Sequence, residues 1–231
     1  MGKALLLQNG VHSYLVEWVG QRFRSKGFLV DRYLAHANEF PKDNEDYSAV
    51  FLSGGPNGAY EDIEWIHREH ELIQDLASKK VPMLGSCFGS QILASALIGR
   101  DQVVKRDTCE VGYKWILLHH PPHGDELLTG LDNKVFMFVY HNDDVRASHP
   151  DMHILGSTEV CPNHIWRYRE YPIWGIQGHP EIVREYALEA FDLNREKLIR
   201  DGADLNSMYA SINNAAKAEK LVDNFIDSCA S

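Results

Sequence analysis

A cysteine framed by two glycines, Gly85-Ser86-Cys87-Phe88-Gly89, lies between two apolar runs. Val81-Pro82-Met83-Leu84 before it has the length of a buried strand, and Ile92 to Ile98 after it reads as a helix closed by Gly99. A glycine two positions to either side removes the Cβ atoms that would clash in a tight strand-to-helix turn. The turn constrains the fold, because it needs a strand feeding directly into a helix. It lifts the sulfur above the sheet edge and sets it at a helix N-terminus, where the macrodipole and free N–H groups favour the nucleophilic thiolate.

Strand-like and helix-like segments alternate through the first half of the chain. Lys3 to Gln8, Phe28 to Leu34, Tyr47 to Ser53 and Val81 to Ser86 read as strands; Tyr14 to Lys26 and Glu64 to Lys80 read as helices. In the latter helix Trp65, Ile66, Leu72, Ile73 and Leu76 recur at helical spacing. This order predicts an α/β fold, a doubly wound, mainly parallel sheet with ligands bound outside the carboxyl ends of the strands. Between Asp101 and Arg169 the character changes. Tyr113 to His119, Lys134 to His141, His153 to Ser157 and Asn163 to Tyr168 are strand-like, and are expected as an antiparallel extension with Trp115, Phe136 and Phe138 in its core. From Ile182 onward helices are expected over Arg184 to Arg200 and Leu205 to Ser228. The whole chain, 1–231, reads as one domain with a helical extension over about 182–231.

Two further segments carry chemistry. Ile173-Trp174-Gly175-Ile176-Gln177-Gly178-His179-Pro180-Glu181 delivers a histidine from a short strand into a turn, and Pro180 delays the following helix. A cysteine nucleophile needs an imidazole to take and return its proton and a third group to fix the tautomer. His179 and Glu181 suit those roles if the turn folds the carboxylate back toward the ring. Ala49 to Leu52 then runs into Ser53-Gly54-Gly55-Pro56-Asn57-Gly58, a loop whose backbone amides can face a ligand. Gly55 offers an N–H that Pro56 lacks. Paired with the amide of Phe88, it would form a two-donor oxyanion site.

Together these motifs resemble the class I glutamine amidotransferases, which carry a Cys-His-Glu triad on a flavodoxin-like α/β domain. The resemblance runs from Leu5-Leu6-Leu7-Gln8-Asn9-Gly10 to the His179 turn, and is closest to the amidotransferase part of GMP synthases and to free-standing relatives such as the γ-glutamyl peptidases. It implies Cys87, His179 and Glu181 as triad, Gly55 and Phe88 as oxyanion amides, and Gln91 beside the substrate. Glu110-Val111-Gly112-Tyr113 and Tyr140-His141-Asn142-Asp143-Asp144 match segments that line the family's glutamine pocket, so Glu110, Tyr140, His141, Asn142 and Asp143 are implied as substrate-binding. Asn142 departs from the Tyr-His-Ser form of the anthranilate-synthase-type members. The implied reaction is hydrolysis of a γ-glutamyl amide, glutamine first, through a Cys87 thioester and without metal or organic cofactor. Cleavage of γ-glutamyl peptides or conjugates is the alternative, and a non-catalytic regulatory or binding protein on the same scaffold is the second. No synthetase domain follows within these residues, so a separate ammonia-accepting enzyme is the expected partner if glutamine is the donor.

Composition narrows the remaining classes. A net charge of -10, from 23 basic and 33 acidic side chains, argues against a nucleic-acid surface. The start, Met1 to Leu7, has too short an apolar run for a secretion signal, Gly2 lacks the following Ser or Thr of a myristoylation site, and no apolar run approaches a membrane span. Four scattered cysteines, Cys87, Cys109, Cys161 and Cys229, fit a reducing cytoplasm. Of 12 histidines, His119-His120-Pro121-Pro122-His123 is the densest cluster. Its prolines make it a solvated loop rather than a metal site.

Overall fold

The computed structural model describes residues 2–42, 45–121, 123–146, 149–214 and 217–230. Nine strands among them join in one sheet: β1 (Lys3–Leu7), β2 (Leu29–Tyr33), β3 (Ala49–Leu52), β4 (Met83–Ser86), β5 (Val103–Leu118), β6 (Lys134–Val145), β7 (Met152–Ser157), β8 (Ile165–Tyr168) and β9 (Ile173–Ile176). Their order is β2-β1-β3-β4-β9-β8-β7-β5-β6. The first five of that order pair in parallel, which is the flavodoxin-like arrangement, and the rest pair antiparallel.

The parallel strands are apolar throughout because both their faces are covered. In β1, Ala4 and Leu6 face one core with helix α1 (Ser13–Ser25), while Leu5 and Leu7 face the other with α2 (Glu64–Ser78) and α3 (Phe88–Leu97). β3 repeats the division, with Ala49 and Phe51 on the first side and Val50 and Leu52 on the second. The long β5–β6 hairpin curls the antiparallel half back on itself. Phe138 of β6 thereby bridges to His179 just past β9, although three strands separate β6 from β9 in the sheet.

Three details differ from the sequence reading. β5 begins at Val103, ten residues before the expected Tyr113, and carries a bulge between Lys105 and Glu110. Trp115 is not core: it is 54% exposed and tilted against Phe136, itself only half-buried, with the Lys134 ammonium over its ring, while Phe138 is buried as expected. On the same face of the hairpin, Tyr113 and Phe138 pack against Phe191 of the carboxyl-terminal helices, whereas Trp115 lies beyond that contact.

The third difference concerns the carboxyl-terminal helices. The expected pair is four: α4 (Arg184–Leu193), α5 (Arg195–Arg200), α6 (Leu205–Ser211) and α7 (Lys220–Cys229). Asn194 interrupts the first span. Gly202, at φ +92, turns the chain, and Asp204 caps α6 by accepting from the Ser207 amide. α4 to α6 build a small core of their own on Phe138 and Leu15, whereas α7 returns to the main core. Leu221, Val222, Phe225 and Ile226 are buried there, each contributing about 1.5–3 kcal/mol by burial, and Arg22 of α1 pairs with Glu219 and Asp223. No helix among the described residues is long and apolar enough to cross a membrane.

Candidate active site

Cys87 joins β4 to α3 in a conformation that non-glycine residues rarely adopt, φ +52 and ψ −108. Such a backbone costs about 1–3 kcal/mol and persists only where its surroundings hold it. The Cys87 amide donates to the Ile176 carbonyl of β9 at 2.8 Å, which ties the turn to the neighbouring strand. The two flanking glycines serve close approach. A Cβ on Gly85 would lie 2.3 Å from the Gly89 carbonyl carbon, and one on Gly89 would lie 2.1 Å from the Leu52 carbonyl oxygen.

β9 brings His179 to the same edge, and the His179 amide donates to the Phe138 carbonyl at 2.8 Å. Its Nδ1 lies 2.8 Å from Glu181 Oε1, so Nε2 is the nitrogen left for Cys87. The Glu181 carboxylate is itself held by Ser86 Oγ, which lies 2.9 and 2.8 Å from its two oxygens. The sequence motif offers no role for Ser86, the residue just before the cysteine, because its partner lies 95 residues away. Burial lowers the tendency of His179 to hold a proton, but the facing Cys87 and Glu181 charges outweigh it and raise its pKa well above 6.5.

The Gly54–Gly55 loop closes over this pair. A Cβ on Gly54 would meet His179 Cε1 at 2.9 Å, and one on Gly55 would meet the Asn9 carbonyl oxygen at 2.7 Å. Among the described residues, neither the Gly55 nor the Phe88 amide donates a hydrogen bond. Asn9 fixes the loop from below: its amide donates to Ser53 Oγ at 3.0 Å, and its side chain donates to Glu69 Oε1 at 3.0 Å. Glu69, fully buried on α2, is pushed up by burial to about 8, against the Asn9 bond that pulls it down. A carboxyl raised in this way binds more protons folded than unfolded, so its contribution to stability is lost as pH rises from 4.5 to about 8. Glu69→Gln is therefore expected to melt near wild type at about pH 5 and increasingly above it toward about pH 8. Thermal melts across that range check this, and a pH-independent difference would refute it.

A cavity of about 270 Å³ opens over Cys87. Gln91, Tyr140, His141, Asn142 and Asp143 border it as expected, whereas Glu110 does not. Glu110 is buried against His141 and His164, at 3.0 and 3.6 Å. The His141 ring likewise turns away toward Glu110 and Asp144, and Asp144 is paired with Arg106. Asp143 is the acidic group left facing the cavity, its carboxyl pushed up by burial despite a bond from the Tyr60 hydroxyl. Gln91 Nε2 donates to the Asp143 carbonyl at 3.0 Å and so sets that segment against α3. The opposite wall had not been foreseen: Phe191, Asn194, Lys197 and Leu198 of the α4–α5 region, with His12 after β1. His119, His120 and His123 are exposed and remote from this site, and Pro122 lies outside the described residues.

Residues 11–190 match the family model of glutamine amidotransferase class-I. The chain belongs to this family. Among curated relatives of this amidotransferase-family chain, the "GMP synthase [glutamine-hydrolyzing]" of Porphyromonas gingivalis is 29% identical over 180 residues, 78% of this chain. The chain spans only 33% of that relative's length. "Gamma-glutamyl peptidase 3" of Arabidopsis thaliana is 27% identical over 216 residues, covering 88% of this chain and 85% of the relative. A solved glutamine amidotransferase from Thermotoga maritima superposes with a TM-score of 0.82 over 100% of this chain and 99% of its own, at 19% identity, which speaks for the shared fold.

Proposed function

We propose that this chain hydrolyses γ-glutamyl amides through a thioester on Cys87. The observation that carries the reading is the Cys87–His179–Glu181 line, with Glu181 at 2.8 Å from Nδ1 and the cysteine in a strained turn at a cavity floor. Cys87 attacks the side-chain amide carbon, and the Gly55 and Phe88 amides receive the negative oxygen. His179 gives its proton to the leaving amine, the C–N bond breaks, and a thioester remains. Water then loses a proton to His179 and attacks the thioester carbon, releasing glutamate and the thiolate. Glu181, steadied by Ser86, keeps the ring turned for both transfers. Asp143 receives the substrate's α-ammonium, and Gln91 supports it from behind.

Glutamine is the first substrate of this reading, with ammonia passing to a separate acceptor enzyme. A second reading, γ-glutamyl peptide cleavage, is favoured by the far wall. Phe191 and Leu198 give apolar contact, and Lys197 gives a cation, beyond what an NH2 leaving group can use. A panel of glutamine and γ-glutamyl dipeptides, followed by glutamate release, separates the two. Fast turnover of glutamine with none of the peptides would remove the peptidase reading, and cleavage of peptides alone would remove ammonia donation. No release from any member would overturn the catalytic reading in favour of a binding scaffold. Four free thiols suit a reducing compartment such as the cytoplasm.

Within this mechanism, Glu181→Gln is expected to slow turnover by about 10–100-fold and His179→Ala by about 10³-fold or more, since the first disturbs orientation while the second removes the base. Equal losses would place the two residues in one indispensable proton path instead.

A further inference from the structure

Behind the cavity wall, four side chains meet that the proposed reaction does not use. Glu110 on β5, His141 on β6, and Cys161 and His164 before β8 place their ligand atoms within 4.8 Å of one another, and all four are buried. Their polar atoms are poorly matched. Glu110 Oε2 and His141 Nε2 lie 3.0 Å apart, yet neither has a hydrogen-bond partner among the described residues, nor does either ring nitrogen of His164. Buried polar atoms are nearly always satisfied, and a cluster of orphans facing one another points to a missing common partner. Meanwhile His141 Nδ1 is held at 3.1 Å from the Asp143 carbonyl and 3.1 Å from Asp144 Oδ1, which directs Nε2 inward, as in the outer shell of a metal-bound histidine.

We propose that Glu110, His141, Cys161 and His164 hold a zinc ion as a closed structural site. One thiolate, two imidazoles and one carboxylate are four donors of the hardness that suits zinc over magnesium or calcium. The charges balance: a divalent cation with one thiolate and one carboxylate is neutral, which is what a buried volume requires. Tetrahedral zinc sets its ligand atoms about 3.3–3.8 Å apart, so with all four within 4.8 Å no pair has to close by more than about 1–1.5 Å on binding. Binding expels the Cys161 thiol proton and any proton on His141 to solvent, and no electron moves. The ion joins β5, β6 and the segment leading into β8. It thereby fixes the strand whose Tyr140 carbonyl meets the Cys87 sulfur at 3.6 Å. With all four positions filled by protein there is no place for substrate on the metal, and the site stands apart from the chemistry at Cys87.

The test equilibrates the purified full chain with Zn2+, removes free ion by gel filtration and measures bound metal. One zinc per chain is expected in wild type and in Cys87→Ser, and less than about one tenth in His164→Ala and Cys161→Ser. Chelation should lower the wild-type melting temperature by about 5–15 °C and leave the His164→Ala protein unmoved. Loading with Co2+ reports the ligands without depending on how the variants fold. Wild type and Cys87→Ser should show a thiolate-to-cobalt charge-transfer band. Wild type that retains no zinc and melts alike with Zn2+ or chelator overturns the proposal, leaving a water or a protonated His141 in the gap. So does a cobalt complex of wild type without a thiolate band, or one whose band survives in a folded Cys161→Ser protein.

Discussion

Cys87→Ser is expected to keep the fold and to lose amide hydrolysis by about 10³-fold or more. The exchange is nearly isosteric, and the features that hold the turn, the Cys87 amide on the Ile176 carbonyl and the glycine contacts to either side, do not involve the sulfur. A hydroxyl is a far weaker acid and a poorer nucleophile than a thiol, so on the proposed mechanism the exchange removes the attacking group while leaving His179 in place. Melting temperature and glutamate release from γ-glutamyl substrates, measured on the same preparation, separate folding from chemistry. Cys109→Ser and Cys229→Ser provide the comparison, since neither thiol borders the cavity, and both should stay active. Full activity in Cys87→Ser would dispose of the thioester route.

Gly89→Ala is expected to destabilise the chain by more than about 4 kcal/mol, or to prevent it from folding. The added Cβ would lie 2.1 Å from the Leu52 carbonyl oxygen and 2.7 Å from the Leu52 carbonyl carbon. Those atoms belong to β3, whose backbone is pinned between β1 and β4 and cannot step aside. Gly27→Ala is the informative contrast. Gly27 adopts φ +86 with nothing within 4 Å of its virtual Cβ, so only the backbone penalty of about 1 kcal/mol applies. Denaturant unfolding of both proteins tests the contrast. Equal stabilities would mean that α3 does not press on β3 as described.

The parts of this molecule that were legible in the sequence are those whose cause is local. β1, β3, β4 and β9 are buried on both faces, so each is a short apolar run between turn residues, and the ends of α1 and α2 lie within two residues of where periodicity set them. The first half of β5 was invisible for the opposite reason. From Lys105 to Thr108 it is mostly charged and largely exposed, and only the residues on either side of the bulge, up to Lys105 and from Glu110, pair with β6, so its strand character comes from those pairings rather than from its own pattern. The break between α6 and α7 was hidden because amphipathic spacing continues across it. What decides the break is that α6 packs on Phe138 while α7 is drawn to α1.

The same division runs through the site. Sequence alone determined the tight turn at Cys87, the His179-Pro180-Glu181 turn and the glycine loop at Gly55, because each is a few residues with its own steric demand. Tertiary structure alone decided the contacts between them. Ser86 reaches Glu181 across 95 residues, Asn9 reaches Glu69 across 60, and Gln91 reaches Asp143 across 52. The gathering of Glu110 and His141 with Cys161 and His164 is of the same kind. Side-chain periodicity records which face of a strand is buried and nothing about which strand lies beside it. Strand order, and the curl that returns β6 to His179, therefore had to be seen before these residues could be placed together.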